Sequence, residues 1–448
     1  MRKRLFAVLL TFVLCMTAFT ACSGGGSTGI SQETTGETQA ASTDASDYEV
    51  TEPITITWWH AMEEQYTDLL NEVIDEFEAS QDLITVDAQY MGSYSELNEK
   101  LATAQAAGEG LPAIAIANTP YVAQYGESGM AENLDPYIEA TGFDASDFGA
   151  GMLEAAQYDG KQVSLPFQIS TQVVYYNADM AKELGVEIPE KFSDMTEFLE
   201  KVSVVNNGTT ERYGTIVPGW DQWYFETFYL NNGVKIVNDD GVSSDLDSEA
   251  AINVASTIKD WCDKGYAYFA TGETASDDMR QAFIDGRAFS VLHTSSMYNT
   301  YVDRCDFEVG MAWLPGGDDG SKMSEIGGNV LFIPANNDQA TKNAAWQFMQ
   351  FLESKEMNMK WAEDTGYMPT RNSVLTTEEG QAFLERKPAF QCIFDNLNEI
   401  QPRIQNPAWD NLATIWKNGM AEMINENMDV TSSMQAMTQE INEVLEDQ

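Results

Sequence analysis

Histidine is nearly absent from this chain. Its 448 residues include two, His60 and His293, far apart and outside any pattern of nucleophile and base. Ser-His-Asp and Cys-His chemistry each need a histidine held against the nucleophile, so that class of enzyme has little to build on here. Cysteine is scarce as well. Cys262, Cys305 and Cys392 lie in the body of the chain, odd in number and without metal or redox spacing. They read as buried or free thiols, with one disulfide left open. Without a His/Cys cluster zinc is not expected. A Walker A loop, a Rossmann glycine fingerprint and an Asp-rich calcium loop are all missing, so neither metal nor cofactor is expected. Basic residues are outnumbered, 24 Lys and Arg against 71 Asp and Glu, for a formal charge of −47. A field of that sign repels nucleic acid and anionic membrane surfaces. Past Phe19 no apolar run is long enough to span a bilayer. Paired carboxylates for glycoside hydrolysis stay open, because so many acids always allow a pair, but no pattern singles one out.

The N-terminal residues are informative. Met1-Arg-Lys-Arg4 is a positive segment, followed by the apolar stretch Leu5 to Phe19. Together they read as an export signal over residues 1–21. Thr20-Ala21-Cys22 then places small residues before a cysteine, the form of a lipobox, in which Cys22 is lipidated and becomes the new N-terminus. The alternative is a plain signal peptide cleaved nearby. Loss of residues 1–21 removes Arg2, Lys3 and Arg4 and no acid, taking the formal charge from −47 to −50. From Ser23 to Thr51 the chain is Gly, Ser, Thr, Gln and acid, with no aromatic before Tyr48. Such a composition buries too little apolar surface to offset its ordering entropy, so residues 22–53 read as a flexible tether.

The remaining roughly 400 residues exceed one ordinary hydrophobic core, so two lobes are expected. Ile54 to Trp59 alternates as a strand, Glu63 to Ser80 puts Leu69, Val73 and Phe77 on one helical face, and Leu83 to Ala88 is a second strand. Helix Ser95 to Ala107 and strand Leu111 to Ala117 follow. This alternation implies a parallel α/β sheet. Helices over 194–202, 250–264, 277–284, 342–353 and 406–425, with strands over 213–217 and 288–292, repeat the theme.

One stretch organises the rest, Ser164-Leu-Pro-Phe-Gln-Ile-Ser-Thr-Gln-Val-Val-Tyr-Tyr-Asn177. Val173 to Tyr176 reads as a buried strand, and Pro166, which cannot donate to a ladder, marks where a strand begins or changes partners. Asn177 caps a helix that Gly185 stops. The polar Gln168 to Thr171 segment between apolar strands suits a chain leaving one lobe for another. Ligands of open α/β sheets bind beyond the carboxyl ends of strands. There, after the 213–217 strand, stands Trp220-Asp-Gln-Trp223, whose indole faces suit the apolar face of a sugar or polyol while the amides meet its hydroxyls. Both indoles also suit a core. Trp58 and Trp59 fit a core better, with His60 free to face a cleft.

Leu165-Pro-Phe167, Ser170-Thr171 and Val173 to Asn177 resemble the lobe-crossing strand of type 1 extracellular solute-binding proteins, the capture subunits of ABC importers. The resemblance is nearest to the sn-glycerol-3-phosphate binders. It continues in family order through Trp59-His-Ala-Met62, Tyr90 to Tyr94, Pro112-Ala-Ile114, Gly219-Trp220, Ile326-Gly-Gly328 and Thr365 to Pro369, covering Ile54 to the C-terminus. It implies a two-lobed, periplasmic-binding-protein-like α/β fold with a hinge and an interlobe ligand cleft. Lobe 1 is then expected over 54–168 and 294–352, and lobe 2 over 169–293 and 353–448. The phosphate-holding hydroxyls, glycine amide and arginine of glycerol-3-phosphate binders fall here at Tyr94, Ser170, Ser295 (or Thr294), Gly328, Tyr367 and Arg403, with Trp220 and Trp223 as the aromatic side. Each also has a structural reading, as a bend, a hinge hydroxyl or a surface ion pair. Where the family has a glutamate for the polyol hydroxyls, this chain has Thr119, which removes a strong acceptor.

The resemblance thus implies a monomeric, lipid-anchored binding protein on the outer face of the cell membrane, serving ABC permease subunits. Its expected ligand is sn-glycerol-3-phosphate or a glycerophosphodiester, with a neutral mono- or oligosaccharide as the alternative. No nucleic acid partner is expected, and membrane contact is through the anchor only. A secreted carbohydrate-active hydrolase is the competing class, and an adhesive lipoprotein a third.

Overall fold

The computed structural model describes residues 44–62 and 66–446. The expected export signal, Cys22 and most of the tether lie outside the described residues. Strand β1 (Ile54–His60) turns Ile56, Trp58 and His60 inward. Helix α1 (Thr67–Ser80) lays Leu69, Leu70, Val73, Ile74 and Phe77 against the same core. Its expected start at Glu63 falls outside the described residues. After β2 (Ile84–Tyr90), helix α2 (Tyr94–Ala107) opens on a capping box, in which the Ser93 side chain accepts from Glu96 N and the Glu96 carboxylate from Ser93 N. Strand β3 (Ile114–Asn118) completes a parallel trio with β1 at its centre.

The elements that follow are β4 (Leu165–Asn177), β5 (Thr209–Pro218), α3 (Trp223–Leu230), α4 (Glu249–Asp263), β6 (Ala267–Ala270), β7 (Ala288–Thr294), β8 (Val309–Ala312) and β9 (Ser324–Phe332). Helices α5 (Gln339–Leu352), α6 (Lys355–Thr365), α7 (Trp409–Asn425) and α8 (Val430–Glu446) close the fold. Strands run in the order β2-β1-β3-β9-β4-β7-β5, with β8 also on β4 and β6 on β5. The sheet expected to be parallel is mixed, since β9 is antiparallel to both β3 and β4, and β7 and β8 are antiparallel to β4. Antiparallel neighbours arise because β4 and β9 traverse the molecule as long strands in opposite directions, without a helical crossover.

A 13-residue strand, β4, joins two packed bodies. Its residues up to Phe167 belong to a core with Trp58, Phe77, Trp346 and Phe348, and from Ile169 onward to cores around Tyr175, Tyr301, Phe225, Trp261 and Trp416. Gln168 lies at the seam. The return expected at Thr294 falls later: Tyr298, Tyr301, Met311 and Ile326 still pack in the second body, and the first resumes at Val330. Likewise Met357 and Trp361 still pack in the first core, so the last crossing lies within α6 and not just after Leu352. The later return follows from β9 running alongside β4, so that both strands change sides at one place.

The tether expected to reach residue 53 is docked from Asp44 onward. A short 3-10 turn spans Ala45–Tyr48, the Tyr48 ring meets Tyr137 edge-on at 4.6 Å, and Asn343 Nδ2 donates to the carbonyls of Asp47 (2.9 Å) and Glu49 (3.2 Å). Tyr48 and Val50 supply the apolar anchor that the preceding sequence lacks. Cys262, Cys305 and Cys392 are free thiols, and burial pushes Cys262 and Cys392 up to about 12.

Candidate functional site

Where β4 and β9 change bodies, the backbone is forced. Gln168 has φ +51° and Gly328 φ +93°, and the register steps between Gly328 and Asn329. A Cβ at Gly328 would stand 2.0 Å from the Gln168 carbonyl oxygen, so glycine is required for this close approach. Asn329 Nδ2 donates to Gln168 Oε1 (3.1 Å) and to the Tyr94 hydroxyl (2.9 Å), tying the first residue of α2 to the crossing. Ser170 stands opposite Gly327 in the ladder, and a Cβ on Gly327 would meet Trp223 Cζ2 at 2.5 Å and Ser170 Oγ at 2.9 Å. Ser295 Oγ accepts from Thr171 N (3.2 Å), and its carbonyl accepts from the Tyr175 hydroxyl (2.8 Å). The Thr294 side chain accepts from Ser296 N, capping the turn that follows β7. Tyr367 precedes Met368, whose N–H donates to the Ile169 carbonyl (2.8 Å). Thr119 follows β3 in a 3-10 turn, buried, with an Oγ1 that finds no hydrogen-bond partner. All nine sequence-derived candidates, scattered over some three hundred positions, thus gather around the crossing or beside it.

A cavity of about 490 Å³ opens next to this crossing. Tyr94, Trp220 and Arg403 line it, together with Tyr121, Gln222 and Trp409. Thr119 sits between two further wall residues, Asn118 and Pro120. Ser170 and Gly328 lie on the crossing strands and Ser295 bonds to one of them, but with Trp223 and Tyr367 they are not part of this wall. Arg403 is 8% exposed, with its guanidinium 5.0 Å from the Trp409 ring and 5.9 Å from that of Trp223. The Gln222 amide, oriented so that its nitrogen donates to Asp221 (3.2 Å), accepts from Arg403 Nη2 at 2.8 Å. Arg403 Nε has no partner. Two cations, Arg403 and Lys417, face two acids, Asp221 and Asp410, so the wall is charge-balanced within a strongly acidic chain. Burial lifts the Asp410 carboxyl above its usual range and pushes the Tyr121 hydroxyl, which donates to Asp410 Oδ1 at 3.3 Å, up to about 12.

Sequence reasoning missed Tyr121, Trp409, Asp410 and Lys417. The one available signal is the aromatic-acid pair Trp409-Asp410 at the start of α7. His60, expected free to face a cleft, is buried; its Nδ1 accepts from Met62 N (3.3 Å), and burial lowers it to about 4. His293 contacts the Tyr301 hydroxyl (3.0 Å) and is lowered by burial to about 3. No cluster of His, Cys, Asp or Glu among the described residues has the form of a metal site. None of their helices is long and apolar enough to cross a membrane.

With this geometry in view, the chain belongs to the bacterial extracellular solute-binding proteins, whose family pattern matches residues 72–391. These are the capture subunits of ABC importers. Among individual relatives, it is 25% identical over 359 residues to the sn-glycerol-3-phosphate-binding periplasmic protein UgpB of Pectobacterium atrosepticum, covering 74% of this chain and 77% of that one. The fold is similar to that of UgpB from Mycobacterium tuberculosis in complex with glycerophosphocholine, with TM-score 0.77 and 23% identity over 89% of this chain and 99% of that one. It is equally similar, at TM-score 0.77, to the sugar-binding protein MalE from Xanthomonas citri, with 19% identity over 88% of this chain and 98% of that one. The two-lobed α/β architecture expected from the sequence is the architecture of these neighbours.

Proposed function

We propose that this chain captures a phosphate ester of a polyol, sn-glycerol-3-phosphate or a glycerophosphodiester, and delivers it to an ABC permease. The observation that carries this reading is Arg403: a buried guanidinium with an unused Nε, framed by two indoles and facing a cavity large enough for such a ligand. Guanidinium is the side chain best matched to phosphate oxygens, and a buried one with spare donors awaits an acceptor. The names of the two UgpB relatives point to the same chemistry, and that of MalE to a sugar. In this reading the two packed bodies are lobes, Gln168 and Gly328 form the hinge, and a ligand that contacts both lobes shifts the population to the closed state read by the permease. Residues 1–21 act as the export signal, and a lipid on Cys22 holds the protein to the membrane.

A neutral mono- or oligosaccharide is the second reading. It is favoured by Thr119 in place of a carboxylate, by the indole faces of Trp220 and Trp409, and by the carboxylates of Asp221 and Asp410 as hydroxyl acceptors. A thermal-shift panel on the chain from Ser23 onward separates the two. A ligand present at about 100 times its dissociation constant stabilises the native state by about 2.7 kcal/mol. A raised midpoint with glycerol-3-phosphate or glycerophosphocholine, and none with maltose or glucose, is the expected result. A shift with sugars alone would sink the phosphate reading and keep the importer role.

A further inference from the structure

Arg403 also lines a second chamber, of about 660 Å³, into which Glu226 of α3 and Glu325 of β9 are set. Their side chains are almost wholly buried, at 2% and 3% exposure. Glu226 lies one helical turn after Trp223, so the same helix carries the indole that packs on Arg403 and an acid beside it. Glu325 is fixed from behind by Gln172, whose Oε1 accepts from Glu325 N (3.1 Å) and Ser324 Oγ (2.6 Å), and whose Nε2 donates to the Trp223 carbonyl (2.8 Å). One glutamine therefore registers helix against strand and brings the two carboxyl groups into a shared hydrogen bond.

Two carboxyls in hydrogen-bond contact need a proton between them, and each here keeps an Oε2 with no donor. Burial, with Glu325 adding to it for Glu226, raises both carboxyls above their ordinary range, while Arg403 opposes the shift. Asp221 adds a further negative charge at the pair. Glu154, Asp159, Lys235 and Asp239 stand around the chamber wall. With one shared proton the pair carries a single negative charge, which matches the positive charge of Arg403 before any ligand arrives.

We propose that Glu226 and Glu325, set in the second chamber that Arg403 lines, determine which ligand Arg403 accepts: a proton-sharing acid that admits a singly charged phosphodiester and resists a doubly charged phosphate monoester. This inference rests on the phosphate-ester reading above. A monoester brings two negative charges to an arginine already matched by the pair. The nearest relief is a second proton on the carboxyls, so monoester binding takes up a proton and weakens as pH rises. A diester brings one charge and needs less relief, and a neutral polyol needs none.

Titration calorimetry with glycerol-3-phosphate, glycerophosphocholine and maltose tests this, using wild type and Glu325→Gln between pH 6 and 8.5 in two buffers of different ionisation enthalpy. The wild type should prefer the diester by tenfold or more at pH 8 and take up protons with the monoester. In Glu325→Gln the monoester should gain tenfold or more and release its proton dependence, with maltose unmoved. Glu226→Gln carries the same test if the first variant melts below the assay temperature. Esters that bind with an unchanged monoester-to-diester ratio in both variants would overturn the inference while leaving the phosphate reading intact. If no ester binds wild type or either variant at any pH, the phosphate reading itself has failed, and the inference fails with it.

Discussion

Arg371 and Arg403 are almost equally buried, at 6% and 8% exposure, yet their donors are spent very differently. Arg371 Nε donates to the Glu353 carbonyl (2.9 Å) and Nη1 to the Asp144 carbonyl (2.6 Å), and the Asp147 carboxylate lies 4.0 Å away. Its guanidinium stacks over Phe143 (4.6 Å) and Phe148 (4.3 Å). Every contact joins one part of the fold to another, so Arg371 is a staple between the 143–148 segment and the end of α5. Arg403 has comparable aromatic cover from Trp223 and Trp409, but one amide acceptor, an idle Nε and a cavity in front of it. A desolvated cation with spare donors is costly to hold in a fold. Burial alone therefore does not separate an arginine spent on the fold from one proposed to bind a ligand. The saturation of its donors does.

Removing each arginine in turn is the strongest way to break the contrast. Arg371→Met should lower stability by about 3–5 kcal/mol, because it strands the buried Glu353 carbonyl and the half-buried Asp144 carbonyl, empties the space over Phe143 and Phe148, and leaves the Asp147 carboxylate with Ser373 but no cation. Chemical denaturation reads this directly, and ligand affinity of the folded fraction should stay within about threefold of wild type, since the substituted side chain touches no part of the cavity. A loss below about 1 kcal/mol would remove the staple from the account.

A pH series sharpens it next. Burial raises Glu353 to about 8, although Arg371 opposes the shift. Arg371 spends its Nε on the Glu353 backbone carbonyl and gives the carboxyl no hydrogen bond, which fits a group held protonated. A folded pKa above the unfolded value gives stability that is full below about pH 4.5 and lost as pH rises through about 8, at up to about 1.4 kcal/mol per unit. The buried histidines act in the opposite sense: with folded values lowered to about 4 and about 3, they take stability away as pH falls below about 6.5. Between pH 6.5 and 8 the carboxyl slope therefore stands clear of them; Glu226 and Glu325 slope the same way, so Glu353→Gln should remove only its own share, up to about 1.4 kcal/mol per unit, and leave theirs. An unchanged slope in that variant would assign the loss elsewhere.

The smallest effect belongs to the amide at Arg403. Gln222→Ala removes the single acceptor facing Nη2 and should weaken phosphate-ester binding by about 0.5–1.5 kcal/mol, a few-fold to about tenfold, with little change in melting temperature. A variant that binds as wild type would show that Gln222 does not position the guanidinium.

Much of this was legible in the residues, for local reasons. Asn177 accepting from Met180 N and Gly185 in the left-handed region close the helix after β4 as their residue types require. The run Val173 to Tyr176 and the proline before it mark the crossing strand, and Trp220 after β5 marks a wall of the cavity. Other features depend on distant contacts and left no local trace. Gln168 adopts a positive φ although it is not glycine, and its side chain is held from two other segments, by Asn329, which also donates to Tyr94, and by Met62. Helix α6 carries few apolar residues beyond Met357 and Trp361, so its periodicity is faint, and α8 buries methionines at 434 and 437 between polar neighbours. Arg371 and Arg403 themselves look alike in sequence, since what separates them is which backbone carbonyls the fold brings within reach.

The most direct test of the central claim is calorimetric titration of wild type and Arg403→Met with glycerol-3-phosphate and glycerophosphocholine at pH 6.5. Ester binding in wild type should fall at least 100-fold in the variant, a loss of about 2.7–5 kcal/mol, with the melting temperature far less disturbed than in Arg371→Met. Wild-type affinity retained by Arg403→Met would contradict that claim.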